Sequence, residues 1–326
     1  MTRKLRMGTR RSPMAVSQSG EVARLITERT GREIELVPIT SHGDVNMAQL
    51  TQIGGTGVFV SALRESLLRG EVDFAVHSLK DLPTGDAEGI TLAAIPPRDD
   101  PRDALVGAGG AKFADLPSGA RIGTGSPRRA EQLQLLRSDI ECVPIRGNAN
   151  TRLAKVASGE FDAVVLAYAG LARIGHTDEI SEIFEPDDMV PAPGQGALAV
   201  ECRTSDTGLV SLLASIDHAP TRAAVTAERT LLAALEAGCS APVGAYATGT
   251  DQLRLQGLVA GVAPGVDETA GSTDAGRVVV RECAEGDAAD AARLGRELAT
   301  RMLARGAARL IGAAEAAKRN RDDAHD

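Results

Sequence analysis

The sequence predicts an α/β protein that has two α/β domains and a small α+β third domain. The chain of 326 residues is long enough for two or three domains at roughly 150 residues per domain. Short β-type runs alternate with longer runs of helical period up to Glu201, which is typical of α/β domains. Beyond Gly238 the β-type runs precede the helices, which indicates an α+β domain.

The first domain is predicted from five elements and one polar cluster. In chain order the elements are a strand at 4–8, a helix at 14–29, a strand at 33–38, a helix at 58–68 and a strand at 73–76. Gly31 and Gly70 are expected to end the two helices. The cluster that follows the last strand comprises His77, Ser78, Lys80 and Asp81. Open α/β sheets bind ligands at the carboxyl ends of their strands, so this cluster is a candidate site.

The second domain repeats the alternation after a proline-punctuated crossing at 96–103. Its predicted elements are a strand at 121–123, a helix at 128–136, a strand at 142–145, a helix at 151–157 and a strand at 163–167. Ser126 is the expected N-cap of the first helix, with Pro127 at its first position. The apolar run at 197–201 is able to return to the first sheet.

The third domain begins with a helix predicted at 221–237, with Gly238 as its C-cap residue. Ala- and Arg-rich helices are expected from 288 onward, and the last dozen residues are expected to be a solvated tail. The intervening strands are predicted at 243–247, 253–262 and 277–281.

These elements give predicted boundaries for the domains. Domain 1 comprises 1–98 and 197–217, domain 2 comprises 99–196, and domain 3 comprises 218–326 with a polar C-terminal tail. The second domain therefore interrupts the first.

Composition excludes several classes of function. The 44 acidic and 36 basic side chains give a net charge of −8, the wrong sign for general attraction to nucleic acid or to an anionic membrane. Aromatic residues make up 2% of the chain, which leaves few rings for base stacking. The amino terminus lacks the apolar core of an export signal, and the run at 163–172 is too short to span a bilayer. We therefore expect a cytoplasmic protein without nucleic-acid or membrane partners.

The four cysteines lie far apart and form no Cys-x-x-Cys pair, so we expect neither a metal site nor a disulfide framework. Cys142 and Cys202 occupy strand-like runs, which is typical of small core residues. Cys239 lies between Gly238 and Ser240 in a loop where a thiol is accessible. A buried structural thiol is the default interpretation of Cys239, and a covalent role is the alternative.

Arginines recur at the strand-to-helix junctions of both α/β domains. Guanidinium groups combined with the amide N–H groups of helix starts bind carboxylates or phosphates, so a polyanionic ligand is predicted. The alternative is that these arginines are ordinary residues of exposed loops. They are Arg10, Arg11, Arg128, Arg129, Arg146, Arg152 and Arg173.

Lys80 and Asp81 stand side by side at a predicted strand end. The ammonium group can hold an anion, and the carboxyl group can move a proton. A solvated ion pair is the alternative interpretation.

Seven segments, in order between 5 and 247, match the motifs of one known family. They are Gly8-Thr9-Arg10 with Ser12-Pro13, His77 to Pro83, Pro101-Arg102-Asp103, Gly123 to Arg129, Arg146-Gly147-Asn148 with Thr151-Arg152-Leu153, Pro193 to Gly196, and Glu236 to Pro242. In these segments the chain closely resembles the porphobilinogen deaminases, also called hydroxymethylbilane synthases.

The resemblance implies two α/β domains of the two-lobed anion-binding type flanking a cleft, and a third domain that presents Cys239 to it. It implies a transferase of tetrapyrrole (haem) biosynthesis with a dipyrromethane cofactor attached covalently to Cys239. Such an enzyme condenses four porphobilinogens head to tail on this primer, releases four ammonia, and hydrolyses off hydroxymethylbilane. The implied partners are porphobilinogen and the growing oligopyrrole chain, and the implied state is a monomer.

The resemblance also assigns roles to residues at matching positions. Asp81 matches the catalytic carboxylate. The cofactor-binding positions are Cys239, Lys80, Asp81, Ser126, Arg128 and Arg129. The substrate-binding positions are Arg10, Ser12, Arg146, Arg152, Arg173 and Gln195.

The chain departs from many relatives at three of its residues. Gln52 and Thr56 stand where lysines are common, in the glycine-rich segment 47–57 that we interpret as a pliable cover. Gly125 stands where a serine is common. These differences put anion contacts from the cover and one cofactor hydrogen bond in doubt.

Two other functions are compatible with the residues. A two-lobed binding protein for organic anions would need neither the Lys80-Asp81 pair nor an accessible Cys239. A cysteine-nucleophile transferase or hydrolase would use Cys239 with His42 or His77.

Overall fold

A computed structural model describes residues 3–39, 55–238, 241–262 and 277–323, and the side chains of 55–59 and 317–323 lie outside this description. Among the helices that it describes, none is both long and apolar enough to cross a membrane.

Strands and helices are numbered separately in chain order. The strands are β1 (Leu5–Thr9), β2 (Ile34–Pro38), β3 (Phe74–Ser78), β4 (Ile90–Ala94), β5 (Asp103–Gly107), β6 (Arg121–Gly123), β7 (Glu141–Val143), β8 (Ala163–Ala167), β9 (Glu182–Ile183), β10 (Leu198–Arg203), β11 (Val243–Thr248), β12 (Gln252–Val262) and β13 (Arg277–Asp287). The helices are α1 (Pro13–Thr30), α2 (Gly55–Leu68), α3 (Pro127–Leu136), α4 (Ala149–Ala157), α5 (Tyr168–Arg173), α6 (Thr207–Leu213), α7 (Ala219–Ala234), α8 (Ala291–Ala304) and α9 (Ala307–Asp323).

The chain divides into two compact units. The first unit comprises Met1–Asp99 and Gly196–Arg222, and the second comprises Asp100–Gln195 and Ala223–Asp326. The first contains one five-stranded sheet, and the second contains a five-stranded sheet and a three-stranded antiparallel sheet. The predicted fold class, two α/β lobes with a small α+β domain, is confirmed. The three-domain boundaries predicted from the sequence remain a prediction.

The sheet of the first unit has the order β2-β1-β3-β10-β4. Strands β1, β2 and β3 are parallel, whereas β10 lies antiparallel between β3 and β4, with Val200 opposite Val76. The predicted return of the chain to the first sheet is therefore confirmed. Helices α1 and α6 cover one face with an apolar cluster that includes Val22, Phe74 and Leu213.

Helix α1 shows how local sequence sets the element bounds. The Ser12 side chain accepts a hydrogen bond from the Ala15 N–H, and Pro13 occupies the first turn. The helix ends at Gly31, whose φ of 67° favours glycine and whose N–H donates to Thr27. The predicted start and stop are thus confirmed.

The five-stranded sheet of the second unit repeats the first, with the order β7-β6-β8-β5-β9. Strands β6, β7 and β8 are parallel, and β5 is antiparallel to β8. In each sheet the antiparallel strand, β5 or β10, is the one that follows directly when the chain passes from one unit to the other. The two lobes therefore share one topology.

The small domain packs α7, α8 and α9 against the sheet β11-β12-β13 around one apolar core. The predicted C-cap at Gly238 is wrong, because α7 ends at Ala234 and Glu236 turns the chain with a φ of 53°. Leu235 is buried just beyond the helix end, so its apolar spacing reflects core contact rather than continued helix.

Two further elements, one strand and one helix, are longer than predicted. Strand β13 extends to Asp287, beyond the predicted end at 281. Helix α9 extends through most of the predicted tail, because its alanines favour helix despite the polar composition.

Gly295 allows α8 to approach α7 closely. A Cβ at this position would lie 2.5 Å from the Ala227 carbonyl oxygen and 2.9 Å from the Leu231 nitrogen, both backbone atoms. We expect Gly295→Ala to lower the free energy of unfolding by about 1–3 kcal/mol, because the helices must move apart. Urea unfolding followed by circular dichroism measures this change.

Gly312 in α9 is the matched control, since a Cβ there meets no atom within 4 Å. Gly312→Ala is expected to raise the free energy of unfolding by about 0.5–1 kcal/mol through helix propensity. Equal stabilities for the two variants would show that the α7–α8 contact is not tight.

Candidate active site

The Lys80-Asp81 pair lies in a short turn at the carboxyl end of β3. Leu79, Lys80 and Asp81 form one turn of 3₁₀-helix directly after Ser78. Leu79 is fully buried, and its N–H donates to the Ala197 carbonyl at 3.0 Å. Lys80 and Asp81 are half-buried, so the turn is anchored by its apolar residue while its charged residues remain accessible.

His77 and Ser78 were expected after this strand but are its last residues. The His77 side chain is buried, with Nε2 3.2 Å from Oε2 of Glu201. A ring held in this way is poorly placed to serve as the base of a cysteine nucleophile. His42, the other histidine considered for that role, lies outside the described residues.

The junction between β1 and α1 carries two further predicted site residues. The Ser12 hydroxyl is used as the helix cap, and Arg10 is half-buried beside it in the chain. The Thr9 hydroxyl accepts a hydrogen bond from the Ser19 hydroxyl at 2.7 Å, which ties the end of β1 to α1. The substrate-binding roles of Arg10 and Ser12 remain predictions.

In the second unit, Arg128 and Arg129 share the carboxylate of Asp103. Arg128 Nη1 lies 2.7 Å from Asp103 Oδ2, and Arg129 Nε donates to Oδ1 at 2.9 Å. Asp103 is fully buried, and the two arginine side chains are 4% and 8% exposed. We call these three residues and Gln195 the arginine cluster.

Gln195 completes the arginine cluster. Its side-chain nitrogen donates to Asp103 Oδ1 at 2.9 Å and to the Pro101 carbonyl at 2.6 Å. Its side-chain oxygen accepts a hydrogen bond from Arg129. Predicted from the sequence as a substrate-binding residue, Gln195 is fully buried in this network.

The electrostatics of the cluster favour an additional anion. Burial raises the pKa of Asp103, but the charges of Arg128 and Arg129 outweigh this effect and hold that pKa well below its usual range. Burial lowers the pKa of Arg128, and Arg129 lowers it further. Two guanidinium groups thus face one carboxylate, which leaves one positive charge uncompensated within the cluster.

Arg128 also has an unused donor. Within the described part of the chain its buried Nε has no hydrogen-bond partner. A buried donor without a partner is costly, and an acid side chain of a ligand would both accept this hydrogen bond and balance the charge. The residues present therefore fit a cofactor with carboxylate arms, such as dipyrromethane.

Ser126 holds the start of α3, where both arginines lie. Its hydroxyl accepts a hydrogen bond from the Arg129 N–H at 3.5 Å, and its own N–H donates to Thr124 Oγ1 at 3.2 Å. The predicted N-cap is confirmed. The N-terminus of α3 adds the partial positive charge of the helix dipole close to Arg128 and Arg129.

The remaining arginines lie along the same edge of the second sheet. Arg146 follows β7 and is exposed, Arg152 lies in the first turn of α4, and Arg173 ends α5 after β8. Arg152 donates from Nε to the Gly147 carbonyl at 2.9 Å. Burial lowers the pKa of Arg152, and the charge of Arg129 lowers it further, because the two guanidinium groups repel each other. The predicted arginines of the second unit thus lie near the carboxyl ends of its parallel strands.

Among the described cysteines, two are unsuited to covalent chemistry. Burial raises the pKa of Cys142 to about 12 and that of Cys202 to about 11, so both remain thiols at neutral pH. Cys283 is exposed on β13. Cys239 lies outside the described residues, as does Gln52, and so does the Thr56 side chain.

Two polar residues essential to this geometry were not selected from the sequence. Asp103 was noted only as part of a motif, and Glu201 only as the end of an apolar run. An acidic residue that borders an apolar run is the signal that marks both, since Asp103 precedes the run 104–106 and Glu201 follows the run 197–200. Within the described ranges, no group of three or more His, Cys, Asp or Glu side chains is placed to hold a metal ion.

Comparison with known proteins decides the family. Residues 5–211 match the family model described as porphobilinogen deaminase, dipyromethane cofactor binding domain, and residues 222–304 match porphobilinogen deaminase, C-terminal domain. The chain belongs to the porphobilinogen deaminase family. Its cofactor-binding domain thus includes the arginine cluster and the Lys80-Asp81 turn.

Named porphobilinogen deaminases match nearly the whole chain. The protein of that name from Thermobifida fusca is 60% identical over 317 residues, which cover 96% of this chain and 97% of the relative. Porphobilinogen deaminase 1 from Streptomyces coelicolor is 54% identical over 327 residues, which cover 96% and 99%. An arginine-specific periplasmic binding protein from Salmonella typhimurium, a solved structure, aligns with a TM-score of 0.38 and 16% identity, covering 66% of this chain and 92% of that one.

We expect Asp103→Asn to destabilise the protein by about 3–5 kcal/mol at neutral pH, because it leaves two buried guanidinium groups without a counter-charge. The pKa of Asp103 is lower in the folded state than its unfolded value of about 3.9, so its contribution is present above that value and is lost as pH falls towards the folded pKa. The stability difference between wild type and Asp103→Asn should therefore shrink on acidification. Urea unfolding at neutral and acid pH measures both effects.

The exposed Asp115 provides a control. Asp115→Asn is expected to change the free energy of unfolding by less than about 0.5 kcal/mol. If Asp103→Asn behaved like this control, the charge balance assigned to the arginine cluster would be incorrect.

Proposed function

We propose that this protein is a porphobilinogen deaminase. It condenses four porphobilinogen molecules head to tail on a covalent dipyrromethane primer, releases ammonia at each step, and frees hydroxymethylbilane by hydrolysis. By reaction class it is a transferase. The observation that carries the proposal is the arginine cluster, where buried cations outnumber the carboxylate that pairs them.

The charge of the ligand explains where the arginines lie. Every porphobilinogen ring brings an acetate and a propionate, so the growing chain is a polyanion. A protein with a net charge of −8 repels such a ligand in general and must attract it locally. An exposed ion pair contributes only about 0–1 kcal/mol, whereas arginines in a sheltered cluster are screened less and are held in place before binding.

The proposed cofactor site uses residues from several elements. Arg128, Arg129 and Ser126 hold acid side chains at the start of α3, and Lys80 supplies a further cation. Cys239 carries the covalent link through its sulfur. When bound, the dipyrromethane supplies the free pyrrole carbon to which the first substrate is joined. Arg10, Ser12, Arg146, Arg152, Arg173 and Gln195 are the proposed positions for substrate and growing chain.

Asp81 is the proposed catalytic residue. Its carboxyl group gives a proton to the departing amine of porphobilinogen and, once ionised, accepts hydrogen bonds from pyrrole N–H groups. A fixed carboxylate near these groups stabilises the positive charge that develops on them during coupling. The buried Leu79 anchors the turn that carries this carboxylate. The proton lost from the attacking pyrrole carbon returns to the carboxylate, so the same group serves each successive addition.

The oligomeric state and the compartment remain predictions from the sequence. A monomer in the cytoplasm is the proposed state.

The covalent cofactor is tested by the intact mass of freshly purified protein. We expect a mass above that of the chain by two pyrrole units, and a positive colour reaction with Ehrlich's aldehyde. Cys239→Ser should remove both, because it removes the sulfur that carries the link.

Cys283→Ser is the matched control, since Cys283 is an exposed thiol on β13. It should keep the added mass. Wild-type protein without bound pyrroles, which also failed to acquire them on incubation with porphobilinogen, would contradict the proposed function.

Replacement of Asp81 tests the catalytic role. We expect Asp81→Ala to lower the rate of porphobilinogen consumption by at least about 100-fold, the lower range for loss of a general acid or base. The exposed Asp86 lies close in sequence, and Asp86→Ala should leave the rate unchanged. A larger loss for His77→Ala than for Asp81→Ala would instead support the cysteine–histidine alternative.

A further inference from the structure

Glu201 forms a buried polar network beneath the Lys80-Asp81 turn. Arg64 of α2 donates from Nε to Glu201 Oε2 at 3.0 Å and from Nη2 to Oε1 at 2.7 Å. His77 Nε2 lies 3.2 Å from the same Oε2. The side chains of Glu201 and His77 are 3% and 5% exposed, so the network is shielded from water.

The antiparallel register of β10 and β3 brings this network together. Glu201 lies opposite Ala75, and Ala199 lies opposite His77. Alternate residues of a strand share a face, so Glu201 and His77 are diagonal neighbours on one face of the sheet. Leu63 of α2 packs near Ala75 on that same face, which is how Arg64 reaches the carboxylate.

The Glu201 carboxylate is ionised at neutral pH. Burial raises the pKa of Glu201, but His77 and Arg64 outweigh this effect and hold it at about 2. His77 Nε2 lies close to this carboxylate but does not meet the geometry of a hydrogen bond, so the contact is one of proximity and charge. The buried His77 ring therefore packs against the Glu201 carboxylate at the end of β3.

Strand β10 holds the end of β3 at two points. The His77 side chain faces Glu201, and two residues later the Leu79 N–H donates to the Ala197 carbonyl. The Lys80-Asp81 turn begins directly after these contacts. Rotation of the strand end would move Asp81, and both contacts oppose that rotation.

We propose that Glu201 and His77 are positioning residues that fix the direction of the Asp81 carboxylate. This inference rests on the proposed catalytic role of Asp81. Neither residue touches the reacting atoms, and each acts through the turn that follows β3. Their loss should lower the rate of coupling without weakening substrate binding, since a misplacement of about 1 Å can cost about 100-fold in rate.

A purely structural role for Glu201 is distinguishable, because β10 also holds α2 through Arg203. Arg203 Nη1 donates to the carbonyls of Leu67 at 2.7 Å and Val72 at 2.8 Å, towards the end of α2 and away from the turn. Arg203→Met therefore loosens the contact between α2 and β10 without affecting His77. It is the control for stability.

The test compares His77→Leu, His77→Gln and Arg203→Met with wild type. Gln can place its amide N–H near the position of the imidazole Nε2, whereas Leu cannot. We expect His77→Leu to lower kcat about 10-fold with KM changed less than about twofold, and His77→Gln to recover kcat to within about threefold of wild type. Arg203→Met should lower the thermal midpoint while its kcat stays within about twofold of wild type.

Two results would overturn the inference. One is an unchanged kcat for His77→Leu, and the other is an equal loss of kcat for Arg203→Met at a similar thermal midpoint. The His77 variants keep the Arg64–Glu201 pair, so they leave the buried carboxylate with its partner and test the His77 contact alone. Intact mass is measured for each variant, and wild-type protein that lacked pyrroles and consumed no porphobilinogen would refute the proposed function rather than the positioning role.

Discussion

The sharing of one buried carboxylate by two buried guanidinium groups constrains the rest of the second unit. Removing ions from water costs several kcal/mol each, and the cost is offset only by close partners. Asp103 lies within ion-pair distance of both Arg128 and Arg129, and its Oδ1 also accepts a hydrogen bond from Gln195. The strand, the helix start and the loop that carry these residues must therefore keep their places for the unit to fold. A surplus cation remains, which supports the proposed binding of an anionic ligand here.

The topology of the chain places this cluster where the two units connect. Asp103 is the first residue of β5, shortly after the chain enters the second unit, and Gln195 is the last residue before it leaves. Gln195 joins both passages, because it donates to the Pro101 carbonyl and to Asp103. Gln195 therefore connects the charged arginine cluster to both segments of chain that pass between the units.

Local signals in the sequence were sufficient for elements whose ends are capped. Ser12, Ser126 and Gly31 set helix ends by their own hydrogen bonds or backbone conformation, so these ends were predicted to within a residue or two. The end of α7 was missed because burial of Leu235 mimics helical spacing. The partners of the arginines were missed for a different reason: Asp103 and Arg128 are far apart in sequence and meet only once β5 enters the sheet. The role of Cys239 came from family resemblance alone.

The two lobes use the same chemistry to opposite effect, and the difference lies in charge balance. In the first unit both oxygens of the Glu201 carboxylate accept hydrogen bonds from Arg64, and His77 Nε2 lies 3.2 Å from one of them, so this carboxylate is matched in charge by Arg64. In the second unit the carboxylate is outnumbered, and Arg128 retains a buried donor without a partner in the described chain. A carboxylate whose charge is matched by one guanidinium group leaves no surplus charge to attract an anionic ligand. A carboxylate that is outnumbered leaves a cost in the free protein that a bound anion would remove, which supports the proposed role of Arg128 and Arg129 in ligand binding.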